Sequence, residues 1–201
     1  MEMERRDKKR IGVYGGTFNP IHYGHLINAE FVREAHGLDK IIFIPSKDPV
    51  HKKSEGSATA IDRLEMVKLA IKGNSFFDVS DIEIRRAEPS FTILTLKQLK
   101  ALYPDEDLFF IIGTDSFNEL DTWRDSEELL SLGRFIVLNR PGNTKLREDI
   151  LQRGTFHIYH NPLIEISSSD IRSKLKFGKS ARYLLPDAVL EYILQKEFYK
   201  N

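Results

Sequence analysis

The sequence of 201 residues contains no cysteine. This absence excludes disulfide bonds, cysteine nucleophiles and cysteine-built zinc sites, and it suits a reducing cytosol. Long apolar runs are missing as well: a run such as residues 108–112 is far too short to cross a bilayer, and the charged residues 1–10 lead into no signal-like apolar stretch. We therefore expect a cytoplasmic protein without a membrane anchor.

Charge of one sign is not in excess. Lys and Arg together count 30 and Asp and Glu together count 30, so the formal net charge is zero. Such a chain lacks the overall field that attracts nucleic acid or an anionic membrane, so we expect neither as a partner and place any anion site locally. The length indicates one domain over residues 1–201 and leaves a homo-oligomer open.

Short apolar runs alternate with helical patterns along the chain. The runs are rich in Ile, Val and Phe, end at Gly or Pro, and predict buried strands at residues 11–14, 41–44, 108–112 and 135–138. Helical periodicity is found at residues 22–36, 61–71, 90–102 and 186–198. This alternation predicts an α/β fold with a doubly wound parallel sheet in a single domain.

The segment GGTFNPIHYGH, residues 15–25, follows the first predicted strand and opens the first predicted helix. Open α/β sheets bind ligands at the carboxyl ends of their strands, where this segment should lie. Gly15 and Gly16 allow the backbone to approach a phosphate closely, and the amides and positive dipole at a helix start favour an anion. The segment therefore predicts a site for a nucleoside triphosphate.

His22 and His25 are three residues apart on the first helical turn, so both imidazoles can point to one side. Gly24 between them leaves the approach open. Two such donors can stabilise the charge that develops when the α-phosphorus is attacked and pyrophosphate leaves. Two alternatives stay open: the glycines could simply connect strand to helix, or His51 could complete a metal site, although no acidic cluster accompanies these histidines. We predict no metal site built by the protein.

Two motifs carry a resemblance to a known family. Residues 15–25 resemble the GxFxPxHxGH signature of the HxGH nucleotidyltransferases, which have a Rossmann-like fold, and ISSSDIR at residues 166–172 resembles their second motif, ISSTxIR. Within that group nearly the whole chain is similar to the bacterial nicotinate-nucleotide adenylyltransferases. This resemblance implies transfer of the adenylyl group of ATP to nicotinate mononucleotide, with Mg²⁺, giving nicotinate adenine dinucleotide (deamido-NAD) and pyrophosphate.

The second motif also makes sense without the resemblance. Three serines before an apolar-periodic stretch are typical of a helix N-cap, with Ser168 or Ser169 as the cap, and Arg172 one turn later could hold the same anion. We predict that His22, His25 and Arg172 are catalytic. The predicted ATP-binding set adds eight residues from these two motifs and from the GTDS segment after the third strand: Gly15, Gly16, Thr17, Phe18, Gly113, Asp115, Ser168 and Ser169.

Two of the remaining site predictions concern the regions after residue 112. Asp115 follows a predicted strand and could accept hydrogen bonds from ribose hydroxyls, although an ordinary helix N-cap explains it equally well. Trp123 is the sole tryptophan and lies between polar residues, with Arg124 beside it. The resemblance implies that Trp123 stacks on the pyridine ring, and the alternative is a partly buried packing residue.

The other acceptor residues come from two segments that the resemblance singles out. Ser90-Phe91-Thr92 is similar to the family's SYT segment, whose amides and hydroxyl hold the nicotinate carboxylate, with Phe91 in place of tyrosine. Its alternative is a helix start capped by Ser90. His51 and Lys52 resemble a basic pair that meets phosphates, although lysine-rich loops are usually just solvated. The predicted nicotinate-nucleotide set is His51, Lys52, Phe91, Thr92, Trp123 and Arg124.

No protein nucleophile is apparent in the sequence, because it has no cysteine and shows no Ser/His/Asp set or spaced pair of carboxylates. The nucleophile should then be the acceptor's phosphate, which is already anionic at neutral pH. We therefore expect direct in-line attack on the α-phosphorus, with Mg²⁺ bridging phosphate groups.

Overall fold

Six parallel strands form one sheet in the computed structural model, which describes residues 8–47, 58–139 and 145–200. The strands are β1 (Arg10–Gly16), β2 (Lys40–Pro45), β3 (Phe77–Val79), β4 (Asp107–Gly113), β5 (Arg134–Leu138) and β6 (Thr155–Tyr159). Their order across the sheet is β3-β2-β1-β4-β5-β6, and every neighbouring pair is parallel.

Helices connect the strands and continue after β6. They are α1 (Tyr23–Ala35), α2 (Ala60–Ile71), α3 (Ile82–Arg85), α4 (Thr92–Leu102), α5 (Thr114–Asn118), α6 (Ser126–Leu132), α7 (Glu148–Leu151), α8 (Ser168–Lys176) and α9 (Asp187–Gln195). A short 3₁₀ turn at Leu120–Thr122 lies between α5 and α6. None of the helices in the described residues is long and apolar enough to cross a membrane.

Both faces of the sheet are buried. Ile41 and Phe43 of β2 belong to a core cluster that includes residues of α1, α2 and α9, whereas Ile42 and Ile44 belong to a second cluster that includes residues of α4, α5 and α6. Successive strand residues point to opposite faces. The strand is therefore apolar throughout, and this explains why the central strands are unbroken apolar runs in the sequence.

The chain reverses its direction of travel across the sheet at β1. From β1 it moves outward through β2 to the edge strand β3, and then returns to place β4 on the other side of β1. At such a topological switch point the connections leave the sheet in opposite directions and open a crevice at the carboxyl ends of the two strands. That crevice lies where β1 ends at Gly16 and β4 ends at Gly113.

The predicted fold class, a Rossmann-like doubly wound parallel sheet, is confirmed. The four predicted strands are β1, β2, β4 and β5. The sequence analysis missed the two edge strands: β3 has three residues, and β6 is only partly buried along its length, so neither produces a continuous apolar run. Helix α4 begins at Thr92 with Phe91 in the capping position, so the alternative in which Ser90 caps this helix is wrong. The Ser90 side chain instead accepts a hydrogen bond from the backbone of Lys47.

Candidate active site

Phe18 anchors the loop between β1 and α1 because its side chain is buried in the core. This side chain is 2% exposed and its ring lies 5.9 Å from that of Tyr14 and 5.8 Å from that of Phe43. A Cβ on Gly16 would lie 3.0 Å from the Phe18 ring, so glycine is needed for the ring to fold underneath. Gly15 is exposed with open space around it, and the backbone here is accessible to a ligand.

His22 and His25 stack on each other at the start of α1. Their ring centroids are 3.8 Å apart at an interplanar angle of 29°, which confirms that both imidazoles lie on one side. His22 is the residue that precedes the helix, and its backbone N–H donates to Nδ1 of His25 across 3.3 Å. A neutral His25 that accepts at Nδ1 carries its proton on Nε2, where it can donate to a ligand.

Gly24 allows this stacking. A Cβ at position 24 would lie 3.0 Å from Nδ1 and 3.1 Å from Cε1 of His22, which is closer than ordinary van der Waals contact. His22 is 6% exposed, so its ring has little room to move away. The glycine therefore sets the position of the first histidine as well as leaving the approach open.

The second motif lies against the first. Oγ of Ser168 donates to the carbonyl of Pro20 across 2.8 Å, and Nη1 of Arg172 donates to the carbonyl of Asn19 across 2.9 Å. Arg172 Nη2 lies 3.5 Å from Oγ of Ser169. These contacts join segments near opposite ends of the chain and bring Arg172 to the loop that leads into the two histidines.

The residue that caps α8 differs from the expectation. Ser167 has extended backbone angles and its side chain accepts from the N–H of Asp170 across 3.1 Å, so neither Ser168 nor Ser169 is the cap. The helix therefore begins one residue earlier than a Ser168 cap predicts and two residues earlier than a Ser169 cap predicts. Ser168 is thereby released to bind the loop at Pro20, and Ser169 lies exposed in the first turn.

Gly113 and Asp115 lie at the end of β4, on the other side of the crevice. Gly113 is buried and precedes α5, while Asp115 is the second residue of that helix and is exposed. The capping alternative for Asp115 is therefore wrong, because Gly113 occupies the capping position. A ligand at the switch point can reach an exposed carboxylate at this position.

The acceptor residues that the structure describes lie near the start of α4 and the end of the 3₁₀ turn. The guanidinium carbon of Arg124 lies 4.7 Å above the ring of Phe91, which brings two predicted residues together. Thr92 is the first residue of α4. Trp123 is partly buried against the second core cluster, so the packing alternative describes at least part of its ring. His51 and Lys52 lie outside the described residues.

Arg63 is a site residue that the sequence analysis missed. It is 2% exposed, and its guanidinium donates from Nη1 to the carbonyl of Thr17 across 2.6 Å and from Nη2 to the carbonyl of Lys47 across 3.0 Å. A signal was present, since Arg63 shares the buried face of α2 with Met66 and Val67, at helical spacing. A charge at a core position indicates a buried polar partner, here the carbonyls of two loops.

The described residues include no group of three or more His, Asp or Glu side chains placed to hold a metal ion. A cavity of about 280 Å³ between α1 and α2 is lined largely by apolar side chains, among them Tyr23, Leu26, Ile27, Ala70, Ile71 and Phe77. It includes none of the predicted site residues. The candidate site is instead the crevice at the ends of β1 and β4, beside which the predicted residues of the two motifs lie.

Comparison with known proteins gives the family. The cytidylyltransferase-like family model matches residues 13–174. A Desulfitobacterium hafniense protein named "Probable nicotinate-nucleotide adenylyltransferase" is 47% identical over 199 residues, covering 96% of each chain. A Streptomyces coelicolor protein of the same name is 43% identical over 187 residues, covering 93% of this chain and 99% of that one.

Solved structures agree with the fold. Nicotinic acid mononucleotide adenylyltransferase of Plasmodium falciparum, complexed with NaAD, has a TM-score of 0.81 and 24% identity over 95% of this chain and 97% of that one. This likeness concerns the fold, and the sequence relatives concern the family. Together with the joined motifs at the switch point, they show that the chain belongs to the nicotinate-nucleotide adenylyltransferase family of cytidylyltransferase-like proteins.

Proposed function

We propose that this protein transfers the adenylyl group of ATP to nicotinate mononucleotide, giving nicotinate adenine dinucleotide and pyrophosphate for NAD biosynthesis. One observation carries the proposal: the stacked pair of His22 and His25 at the helix start is joined to Arg172 through the Asn19 carbonyl. Three donor side chains thus lie on the segment that follows β1, or against it, at the switch point of the sheet. This arrangement suits a triphosphate whose α-phosphorus is attacked.

The nucleophile in this reaction is the phosphate of the acceptor. One of its oxygens forms a bond to the α-phosphorus of ATP, and the bond from that phosphorus to the oxygen leading to the β-phosphate breaks, releasing pyrophosphate. A phosphate monoester is anionic at neutral pH and needs no general base. The task of the protein is to align the two nucleotides and to reduce the repulsion between their charges.

His22 and His25 meet the charge that develops on the phosphates in the transition state. Imidazole N–H groups held rigidly in a partly buried site stabilise such charge without reorganising during the reaction. The backbone of Gly15, Gly16 and Thr17 would contact the triphosphate directly. Phe18 would contribute only its backbone, because its side chain lies in the core.

Arg172, Ser168 and Ser169 would hold the triphosphate from the side of α8. A guanidinium carries five N–H donors, so Arg172 can hold the Asn19 carbonyl and a phosphate oxygen at the same time. At the end of β4, the exposed carboxylate of Asp115 would accept hydrogen bonds from ribose hydroxyls, and Gly113 would let the nucleotide approach the strand end.

The acceptor would bind between the start of α4 and the end of the 3₁₀ turn. The hydroxyl of Thr92 and the amides of the first turn of α4 would hold the nicotinate carboxylate, next to Phe91 and Arg124. The pyridine ring would stack on Trp123. His51 and Lys52 would meet phosphates of the acceptor or of ATP.

A divalent metal fits this site as part of the substrate. The described side chains form no cluster that could ligate a metal ion, so Mg²⁺ would be held by the phosphate oxygens of ATP. When bound there it would neutralise part of the triphosphate charge. His22, His25 and Arg172 would donate hydrogen bonds to the same phosphates.

The proposal is tested with a panel of acceptors. The protein is incubated with ATP, Mg²⁺ and one of nicotinate mononucleotide, nicotinamide mononucleotide or phosphopantetheine, and the products are identified by mass. We expect nicotinate adenine dinucleotide and pyrophosphate. A nucleotidylated protein under single-turnover conditions would contradict direct transfer, and the absence of pyrophosphate with every acceptor would contradict the assignment as a transferase.

Three further statements belong to the same proposal. Residues 1–201 act as one nucleotidyltransferase domain, the protein acts in the cytoplasm, and neither nucleic acid nor a membrane is a partner. The length supports a single domain, the lack of cysteine suits the cytoplasm, and the balanced charge argues against a nucleic acid or membrane partner. Light scattering of the purified protein would determine whether it forms a homo-oligomer.

A further inference from the structure

The two proposed substrate sites are built on separate segments of the chain. The donor loop, residues 15–22, begins with the last two residues of β1, and the acceptor segment, residues 90–92, ends at the first residue of α4. In-line attack requires the acceptor phosphate to lie close to the α-phosphorus, and a displacement of about 1 Å can cost roughly 10²-fold in rate. Some part of the protein must therefore hold the two segments at a fixed separation.

Arg63 holds the donor side. Its side chain is 2% exposed, and its two terminal nitrogens donate to the carbonyls of Thr17 and Lys47 at 2.6 and 3.0 Å. Thr17 belongs to the donor loop, and Lys47 is the second residue after β2. A planar guanidinium fixes the positions of two acceptors relative to each other, which an ammonium group with a single point charge cannot do.

Lys47 carries the connection to the acceptor segment. Its backbone N–H donates to Oγ of Ser90 across 2.9 Å, and its Nζ donates to the carbonyl of Arg86 across 2.8 Å. The residue before it, Ser46, donates its N–H to the carbonyl of Gly16 across 2.9 Å. Lys47 thus contacts Arg63 through its carbonyl and the chain around the acceptor segment through its N–H and its amine.

Arg86 makes the acceptor end of this connection rigid. It is 7% exposed and donates to the carbonyl of Pro89, to Oε1 of Gln98 and to Oγ1 of Thr95. The Thr95 hydroxyl donates in turn to the buried carboxylate of Glu83 across 2.6 Å. Gln98 and Thr95 lie on α4, so the segment from Arg86 to the helix start is fixed at both ends.

We propose that Arg63 and Lys47 are positioning residues which hold the ATP loop and the acceptor segment in register and couple the binding of the two nucleotides. This inference rests on the proposed adenylyl transfer. The connection runs from Thr17 through Arg63 and Lys47 to Ser90 and Arg86. Because both ends share one connection, a nucleotide bound at either end favours the arrangement that the second nucleotide also requires, so each improves the affinity for the other by the same factor.

The coupling factor is measured by calorimetry. Nicotinate mononucleotide is titrated into the protein with and without saturating α,β-methylene-ATP, which has carbon at the bond that would break and cannot transfer its adenylyl group. The reciprocal titration checks that the factor is the same in both directions. Typical couplings between sites are about 5- to 150-fold, and we expect a value in that range for the unaltered protein.

Two variants break the connection at different points. Lys47→Met keeps the aliphatic stem and removes the amine that binds the Arg86 carbonyl. Arg63→Lys keeps the charge and removes the planar pair of donors. In Lys47→Met the backbone N–H of residue 47 still donates to Ser90, so we expect the coupling factor to fall without reaching 1; in both variants we expect kcat to drop about tenfold or more, with the affinity for the ATP analogue alone changed less than threefold. Where Arg63→Lys does not fold, as judged by its thermal unfolding, Lys47→Met decides.

Lys97→Met is the matched control. The amine of Lys97 also lies 2.8 Å from an acceptor, Oε2 of Glu128, but it lies on the exposed side of α4 and contacts neither site. This variant should keep the coupling factor and kcat. A structural role of Lys47 would lower the affinities for both nucleotides alike.

The outcomes separate the two proposals. If the unaltered protein binds both nucleotides with a coupling factor of 1, or if Lys47→Met keeps the factor, the coupling proposal is overturned while adenylyl transfer stands. If the unaltered protein does not bind nicotinate mononucleotide at all, the proposed function itself is wrong.

Discussion

The hydroxyl of Tyr199 donates to Oδ1 of Asn19 across 2.6 Å, which joins the segment after α9 to the loop between β1 and α1. The backbone carbonyl of the same Asn19 accepts from Arg172. Tyr199 is 6% exposed, and burial raises the pKa of its hydroxyl, so the group stays protonated and remains a donor. Asn19 is thereby held by two residues that are distant in sequence, and the loop that carries the histidines is fixed from both.

We expect Tyr199→Phe to destabilise the protein and to slow the reaction. The substitution keeps the ring and removes the donor, so the buried oxygen of Asn19 loses a hydrogen bond, at a cost of about 1–3 kcal/mol. Denaturant unfolding measures this loss, and kcat should fall with it because the loop becomes less fixed. Tyr183→Phe is the control, since Tyr183 is 80% exposed. An unaltered free energy of unfolding in Tyr199→Phe would contradict the argument.

Replacing His22 or His25 by alanine should lower kcat much more than the affinity for ATP. Donors aimed at charge that develops in the transition state are worth about 10²- to 10³-fold in rate. Steady-state kinetics with varied ATP separates the two effects. His160→Ala is a suitable control, because this exposed histidine pairs with Asn139 and lies outside the proposed site. Full activity in either site variant would remove that histidine from the mechanism.

Gly24→Ala tests whether the glycine positions His22. Alanine favours a helix by about 1 kcal/mol over glycine, so helix propensity alone predicts greater stability. The added Cβ would nevertheless lie 3.0 Å from Nδ1 of His22 and displace the ring. We expect a folded protein with reduced kcat. In the background of His22→Ala the same substitution should cost little further activity, and equal losses in both backgrounds would indicate that Gly24 acts independently of the ring.

The sequence predicted the central part of this molecule better than its edges. Strands β1, β2, β4 and β5 are buried on both faces and give continuous apolar runs, whereas the edge strand β6 has partly exposed residues and gives none. The two histidines could be predicted to lie together because they are three residues apart at the start of a helix. Their contact with the second motif depends on the tertiary fold, and so does the role of Arg63, whose partners are backbone carbonyls that carry no sequence signal.

The exact cap of α8 shows a second limit. All three serines at positions 167–169 can cap a helix, and the sequence does not distinguish them. Ser167 takes the role because Oγ of Ser168 binds the carbonyl of Pro20, a contact between segments that lie far apart in the chain. Local rules thus identified the kind of residue, and the tertiary contact selected the position.

His36, at the end of α1, predicts a loss of stability in acid. Burial, and then the nearby charges of His157 and Arg10, lower the pKa of His36 below its ordinary value of 6.5. Above that value His36 is neutral in both the folded and the unfolded chain, so its protonation does not change the free energy of unfolding. As the pH falls below it, the unfolded chain binds the proton more readily than the folded one, so stability decreases until the folded pKa is passed.

The variant His36→Gln has no titrating group at position 36, so it lacks this contribution to the pH dependence of stability. We expect its free energy of unfolding to decline less than that of the unaltered protein between pH 7 and about pH 5, as measured by denaturant unfolding at several pH values. His160→Gln should behave like the unaltered protein, since its ring is exposed. Parallel declines in His36→Gln and the unaltered protein would show that other groups are responsible.

The chemistry at the start of α4 predicts a preference for nicotinate mononucleotide over its amide. The two acceptors differ only in carboxylate against carboxamide. Helix α4 has eleven residues and no acidic side chain in its first turn, so its positive end, its amides and the Thr92 hydroxyl all favour an anion. Arg124, whose guanidinium lies over Phe91, adds a positive charge nearby. An amide would instead turn an N–H toward these donors.

We therefore expect kcat/KM for nicotinate mononucleotide to exceed that for nicotinamide mononucleotide by roughly 10- to 100-fold, because a charge-assisted contact contributes about 1.5–3 kcal/mol. Thr92→Ala should reduce this ratio and leave the KM for ATP nearly unchanged. Competition between the two acceptors in one reaction, followed by product mass, gives the ratio directly. Equal use of both, or preference for the amide, would show that the carboxylate binds elsewhere, even where adenylyl transfer itself is found.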